Sequence, residues 1–187
     1  MNYYLADPHF DHRGILKSCH RPFDTVDAMN RTLITNWQAR VQGLTDTVYI
    51  LGDLFAYCKR PEPILSQLRG HGRLVLIEGN HDPLWLRKID PADYFDLVCP
   101  ELDILDRGRP VHMTHIPDPA QYPTEGYLLY GHIHNTVETG PLWAQLRALD
   151  RALNVGVDLA LETGTFFGPA TLEEWIACNE RFRALHP

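Results

Sequence analysis

The most constraining feature of this chain is a set of short apolar runs, each followed within two residues by a polar residue able to bind a cation. Three of these runs lie in the first half of the chain, at residues 1–6, 46–51 and 73–78. Their lengths, and the Gly, Pro and Asp residues that bound them, predict buried β-strands. The segments between them have helical spacing, so the sequence predicts an α/β fold with parallel strand pairing.

Helices and further strands complete the predicted fold. Three helices are expected, over residues 24–42, 61–69 and 171–185. The first would have Asp24 as its N-cap, and the last begins with a capping-box pattern, Thr171 followed by Glu174. Strands are expected in the second half at residues 98–105, 110–114, 126–130 and 151–157. Because no linker-like segment divides the chain, we expect a single domain over residues 1–187.

Side chains that can bind metal follow five of the predicted strands. They are Asp7 and His9, then Asp53, then Asn80 with His81 and Asp82, then His115, and finally His132 and His134. Ligands of α/β proteins gather outside the carboxyl ends of the strands, so parallel strands would bring these groups to one rim. Gly52, Gly79 and Gly131 each precede a candidate ligand, and a residue without Cβ permits close approach of the backbone.

The chemical types of these side chains predict a particular kind of metal site. Carboxylate, imidazole and amide oxygen form a mixed set that suits Mn²⁺, Fe, Zn²⁺ or Ni²⁺ better than Ca²⁺, which prefers oxygen alone. There are more candidates than one ion needs, and a carboxylate can bridge two ions roughly 3.5–4 Å apart. Each short motif alone is typical of a turn or a structural histidine, whereas the ordered combination predicts a metal site.

The chain resembles the calcineurin-like metallophosphoesterase family in five ordered motifs: Asp7-Pro8-His9, Gly52-Asp53, Gly79-Asn80-His81-Asp82, His115 and Gly131-His132-Ile133-His134. The resemblance spans residues 7–134, and the stretch DPHFDH with Arg21 and Phe23 is similar to a small bacterial branch of that family. It implies a metallophosphoesterase-type β-sandwich of two mixed sheets flanked by helices. It also implies two divalent metal ions as cofactors, Mn²⁺ before Fe, Zn or Ni.

The same resemblance implies a role for each residue. Asp7, His9 and His134 would hold the first metal, Asn80, His115 and His132 the second, and Asp53 would bridge them. His81 would face the scissile phosphate as transition-state stabiliser or general acid, and Asp82 would orient His81. The implied reaction is hydrolysis of a phosphomonoester or phosphodiester, small or nucleotide-like, by attack of a hydroxide that bridges the metals.

Several other polar residues are harder to assign. His12 and Arg21 are candidates for substrate contact, since a guanidinium can grip a phosphate, but a structural role is also open for both. Asn154 and Asp158 are expected to make structural hydrogen bonds. The remaining histidines are expected at the surface or in structural positions: His20, His71, His112 and His186.

Charge and cysteine content limit the other functions. The formal net charge of −7 argues against non-specific binding to nucleic acid, which needs a basic face. The 4 cysteines are scattered, so we expect reduced thiols in a cytoplasmic protein rather than disulfides or a cysteine zinc site. Neither a signal peptide nor a membrane span is expected. Two alternatives stay open: a nuclease acting on DNA or RNA, and a catalytically silent metal-bound scaffold.

Overall fold

Two four-stranded sheets flanked by helices form the computed structural model of the chain, which describes residues 1–70, 72–136 and 141–186. The first sheet has the order β1 (Asn2–Leu5), β2 (Thr47–Leu51), β3 (Arg73–Ile77) and β4 (Leu97–Cys99). The second has the order β5 (Glu101–Asp106), β6 (Arg109–Thr114), β7 (Tyr127–Tyr130) and β8 (Ala152–Asn154). The α/β prediction is confirmed.

Strand direction differs between the two sheets. All three strand pairs of the first sheet are parallel, because a helix-containing crossover joins each strand to the next. In the second sheet β5 and β6 pair antiparallel, while the β6–β7 and β7–β8 pairs are parallel. The prediction of two mixed sheets is therefore wrong for the first sheet and right for the second.

The described part of the chain contains seven α-helices: α1 (Arg13–Ser18), α2 (Val26–Arg40), α3 (Glu62–Arg69), α4 (Pro83–Leu86), α5 (Pro141–Arg147), α6 (Val157–Glu162) and α7 (Leu172–Leu185). The N-cap of α2 is Thr25, whose side chain accepts from the amide of Ala28, and not Asp24 as predicted. The capping box of α7 is confirmed, with Thr171 and Glu174 bonded in both directions. No described helix is long and apolar enough to cross a membrane.

Two strand predictions need correction. Residues 98–105 do not form one strand, because Pro100 separates β4 from β5, which belong to different sheets. Proline lacks the amide proton that a continuous ladder needs. The last strand is also shorter than predicted, since β8 ends at Asn154 and α6 begins at Val157.

The end of β1 links the two sheets. Beyond β1, the amide of Ala6 donates to the carbonyl of Val155, at 2.7 Å, and the amide of Val157 donates to Ala6, at 3.1 Å. The residues between the sheets form one apolar cluster, which includes Leu51 from the first sheet and Leu129 from the second. The carboxyl ends of the first sheet's strands and of the parallel strands β6, β7 and β8 therefore lie beside each other, and the candidate ligands follow them.

Candidate metal centre

The predicted ligands come together as two adjoining groups at this rim. Asp7, His9 and His134 form the first group, and Asp53, His115 and His132 form the second. Within each group the ligand atoms, one per residue, all lie within 4.8 Å of one another. Asn80 joins the second group, because its Oδ1 lies 3.1 Å from Nε2 of His115.

Asp53 lies between the two groups. Its Oδ2 is 3.7 Å from Nε2 of His9, in the first group, and 3.5 Å from Nε2 of His115, in the second. Its Oδ1 accepts a hydrogen bond from the backbone amide of His81 at 2.9 Å. One carboxylate oxygen is thus fixed by the backbone while the other faces ligand atoms of both groups, as a bridging carboxylate requires.

Two buried atoms of the first group have no hydrogen-bond partner in the described chain. They are Oδ1 of Asp7 and Nε2 of His9, which lie 3.9 Å apart. The other oxygen of Asp7 accepts from the backbone amide of His132 at 2.9 Å. A buried polar atom without a partner costs about 1–3 kcal/mol, and an interposed cation would satisfy both atoms. The residues present therefore fit a metal ion.

The backbone at the centre adopts conformations that most residues avoid. Among the described residues, eight non-glycine residues have positive φ, and five of these are predicted ligands: Asp7, His9, Asp53, His132 and His134. Only a few per cent of non-glycine residues have positive φ, and each such residue is strained by about 1–3 kcal/mol. Strain of this kind concentrates at functional sites, which is consistent with a role for these turns beyond connecting strands.

The glycines before the ligands permit close contact between the loops. A Cβ on Gly52, where φ is +78°, would lie 2.4 Å from Nδ1 of His115, and a Cβ on Gly79 would lie 2.3 Å from Oδ1 of Asp53. No side chain fits at either position without movement of a candidate ligand. The role predicted for these glycines is therefore borne out by the geometry.

Hydrogen bonds to Nδ1 orient three of the imidazole rings. His115 donates from Nδ1 to the carbonyl of Leu51 at 2.8 Å, and Nδ1 of His134 lies 2.7 Å from Oδ2 of Asp158. Nδ1 of His9 lies 3.3 Å from Nδ1 of His12. In each ring this leaves Nε2 for the centre, which is the usual arrangement of a metal-binding histidine and its supporting partner.

The carboxylates make the centre strongly attractive to positive charge. Burial alone would lower the pKa of His115, but the hydrogen bond and charge of Asp53, with the charge of Asp7, raise it to about 9. Burial alone would also lower the pKa of His134, but the charge of Asp7 and the hydrogen bond to Asp158 outweigh it and raise the pKa to about 11. For His9, burial and the charge of His134 outweigh the nearby charge of Asp53 and lower the pKa to about 2. The carboxylates therefore favour a positive charge at His115 and His134, which is the sign of charge that a bound cation would bring.

Asp82 does not contact the ring of His81, which corrects the predicted role. Its buried carboxylate accepts from the amides of Asp53, Leu54 and Gly79 at 2.9, 3.1 and 2.7 Å, and from the indole of Trp85 at 2.8 Å. Burial raises its pKa to about 6, against the lowering effect of these donors. All four contacts are donors, so Asp82 ties together the turns that carry Asp53 and Asn80 and orients no imidazole.

His81 and His12 lie at the opening of the centre. The side chain of His81 is 28% exposed, and its Nε2 is 3.9 Å from Oδ2 of Asp53. His12 is half-buried and contacts His9, so a ligand that entered the centre would meet both rings. These positions are compatible with the predicted contacts to substrate, which remain predictions.

Arg21 lies where no substrate can reach it. Its side chain is fully buried and makes a bidentate pair with Asp158, from Nε at 2.7 Å and from Nη2 at 2.8 Å. It also donates to the carbonyls of Asp7 and Pro8, both at 2.7 Å. The predicted substrate contact is therefore wrong, because every nitrogen of the guanidinium already has a partner in the protein.

Asp158 is the supporting residue that the sequence analysis missed. It was expected to make only structural hydrogen bonds, yet it joins Arg21 to His134. Cys19 lies with His134 and Asp158 in a third group that could hold a metal, although both Asp158 oxygens already have partners. The available signal was its position just beyond β8, at the same rim as the ligands.

The remaining histidines within the described ranges have ordinary surroundings. His20 is exposed, His112 pairs with Asp103, and His186 pairs with Glu162. His71 lies outside the described residues. All four cysteines are free, as predicted.

The chain was compared with protein-family models and with solved structures. No protein-family model matches the chain. A protein of unknown function from Aquifex aeolicus, AQ665, has the same fold, with a TM-score of 0.68 and 23% identity over 93% of this chain and 96% of that one. YfcE, a phosphoesterase from E. coli, aligns over 71% of this chain and 69% of its own with 19% identity and a TM-score of 0.40, below the level that indicates a shared fold.

A sequence relative is closer. The uncharacterized protein MJ1445 of Methanocaldococcus jannaschii is 33% identical over 162 residues, which cover 84% of this chain and 81% of the relative. Identity at this level over most of both chains indicates common descent. The chain belongs to the same family as MJ1445.

Proposed function

We propose that this protein is a metal-dependent phosphoesterase that binds two divalent ions side by side. The observation that carries the proposal is the position of Asp53, whose Oδ2 lies within 3.7 Å of imidazole nitrogens from both ligand groups. The unpartnered Oδ1 of Asp7 and Nε2 of His9 support it, because a cation would satisfy both.

In this proposal Asp7, His9 and His134 hold one ion, Asn80, His115 and His132 hold the other, and Asp53 contacts both. Bound ions would lower the pKa of water and neutralise charge on the phosphate oxygens. His81 lies beside Asp53 with its ring partly exposed, where it can contact a phosphate oxygen or give a proton to the leaving oxygen. Arg21 and Asp158 hold His134 and the Asp7 turn in position.

The proposal extends to the metal, the type of fold, the substrate and the location of the protein. Mn²⁺ is the first candidate for the ions and Fe, Zn²⁺ or Ni²⁺ are the alternatives, since ligands that mix carboxylate, imidazole and amide oxygen suit these metals better than Ca²⁺. The fold is a metallophosphoesterase-type β-sandwich, which the apolar cluster shared by both sheets supports. The substrate is a small or nucleotide-like phosphate ester, and the four free cysteines suit a cytoplasmic location.

The test is a screen of metal-reconstituted protein against phosphomonoesters and phosphodiesters with Mn²⁺, Ni²⁺ and Zn²⁺. Turnover that depends on added metal, and that Asp53→Asn abolishes together with metal retention, is the expected result. Asp106→Asn is the matched control, because Asp106 is also a buried carboxylate but bonds Tyr4 and Asn2 instead of a candidate ligand. Metal-loaded protein without turnover on any ester would contradict the proposal.

The same screen separates the alternatives. Cleavage of DNA or RNA, without turnover of small esters, would identify a nuclease. Firm binding of metal with no hydrolysis of any substrate would identify a silent scaffold.

A further inference from the structure

An exposed tyrosine stands at the opening of the candidate metal centre. Tyr57 is 70% exposed, and its ring centroid lies 5.8 Å from that of His81 and 5.9 Å from that of His12. The planes of these pairs meet at 69° and 81°, so the rings contact edge to face. His81 is the residue we place against the phosphate, which puts Tyr57 where the organic part of an ester would lie.

The residues on either side of Tyr57 are anchored in the fold, although its own side chain is exposed. Its neighbours Ala56 and Cys58 are buried, with exposures of 0% and 4%. The thiol of Cys58 lies 3.3 Å from Oδ2 of Asp11, and Lys88 donates to the carbonyl of Cys58 at 2.7 Å. The backbone that carries the ring is therefore anchored on both sides, as a preformed recognition surface requires.

The contacts of the Tyr57 side chain do not explain why an aromatic ring is exposed at this position. Its hydroxyl makes no hydrogen bond to any residue in the described ranges, and the two imidazole rings cover only part of a side chain that is 70% exposed. An exposed aromatic ring beside the candidate metal centre is well suited to stacking on a flat ligand, because stacking on protein aromatics is largely independent of which base is bound. The following residues, Lys59 and Arg60, are exposed and would favour an anionic ligand.

We propose that Tyr57 is a specificity-determining residue that stacks on a planar aromatic group, such as a nucleobase, carried by the phosphate ester. This inference rests on the proposed function for the identity of the ester. It names the substrate class: nucleoside phosphates and other esters with an aromatic group are preferred over esters with purely aliphatic groups.

The test compares substrates that differ only in the aromatic group. Hydrolysis of adenosine 5′-monophosphate and of ribose 5-phosphate breaks the bond between phosphorus and a primary ribose 5-oxygen in both cases, so their intrinsic reactivities are similar. With wild-type Mn²⁺-loaded protein, the first is expected to have the higher kcat/KM. Tyr57→Leu should lower that value about tenfold, mainly through KM, and leave ribose 5-phosphate within about twofold. Tyr57→Phe should behave as wild type, and Leu105→Ala, which alters another side chain that is 70% exposed, is the control.

A second pair and a binding measurement distinguish the outcomes. A loss confined to phenyl phosphate, with methyl phosphate unchanged, would identify an aryl group as the stacked moiety. If no ester is hydrolysed, calorimetric titration decides: tighter binding of adenosine 5′-monophosphate than of ribose 5-phosphate, erased by Tyr57→Leu, supports aromatic recognition although the proposed function fails. Hydrolysis or binding with the same preference in wild type and Tyr57→Leu overturns the role of Tyr57, as does failure of wild type to distinguish the two compounds.

Discussion

Replacing Asp158 by asparagine is expected to weaken metal binding about 10- to 100-fold and to destabilise the fold by about 3 kcal/mol. Both effects follow from the contacts of one buried carboxylate. Oδ1 accepts from Nε of Arg21 at 2.7 Å, and Oδ2 accepts from Nη2 of Arg21 at 2.8 Å and lies 2.7 Å from Nδ1 of His134. The side chains of Arg21 and Asp158 are 0% and 1% exposed, so water cannot replace the lost partner.

Neither orientation of the asparagine amide preserves these bonds. With the amide oxygen toward His134, its NH₂ group meets Nε of Arg21, which is also a donor. In the reverse orientation the NH₂ group meets both Nη2 of Arg21 and Nδ1 of His134. Either way a buried guanidinium loses its neutralising charge, and in the second case His134 also loses the partner that fixes its ring.

Metal affinity and stability should be measured on the same preparations. Titration of apo protein with Mn²⁺ gives the affinity, and urea unfolding of the apo protein gives the stability. Asp106→Asn is the control, because it removes a buried carboxylate charge that contacts no candidate ligand. A folded Asp158→Asn protein with wild-type affinity for metal would refute the supporting role of Asp158.

Three further changes test separate parts of the structure. His81→Ala should lower turnover while both metals stay bound, since His81 contacts Asp53 only at 3.9 Å; loss of one metal by elemental analysis would make it a ligand. Gly52→Ala should destabilise the fold by about 3 kcal/mol in urea unfolding, because its Cβ would lie 2.4 Å from His115 at a positive φ; an unchanged midpoint would contradict this. The pKa of Asp96 lies below its usual range because the amide of Leu74 and nearby arginines outweigh burial, so its contribution to stability is present above the unfolded pKa of about 3.9. Urea unfolding should therefore show Asp96→Asn less stable than wild type at pH 7, and this difference in stability should shrink below about pH 3.9. A difference that stayed constant with pH would contradict the role of Asp96.

Local pattern predicts the parts of the structure that depend on nearby residues. The strands that precede Asp7, Asp53 and Asn80 are short apolar runs. Parallel pairing brings their carboxyl ends to one rim, independently of the exact bounds of the helices between them. The capping box at Thr171 is likewise contained in four residues. These features could be predicted because strand burial and capping depend on local sequence.

Contacts between residues far apart in the sequence could not be predicted in the same way. Arg21 and Asp158 are 137 residues apart, so the sequence gives a guanidinium and a carboxylate but not their pairing. Asp82 follows His81 directly, yet its side chain accepts from backbone amides, two of which belong to the loop of Asp53 and Leu54. Pro100 separates β4, which pairs with β3, from β5, which pairs with β6 in the other sheet, and the apolar pattern of residues 98–105 does not specify these pairings.

Crystals grown with ample Mn²⁺ and measured at wavelengths on either side of the manganese absorption edge test the paired metal site most directly. Two anomalous peaks roughly 3.5–4 Å apart are expected, with Asp53 bound to both ions. One should contact Asp7, His9 and His134, and the other Asn80, His115 and His132. No peak among these side chains, or a single ion that leaves Asp53 unbound, would contradict a paired metal centre.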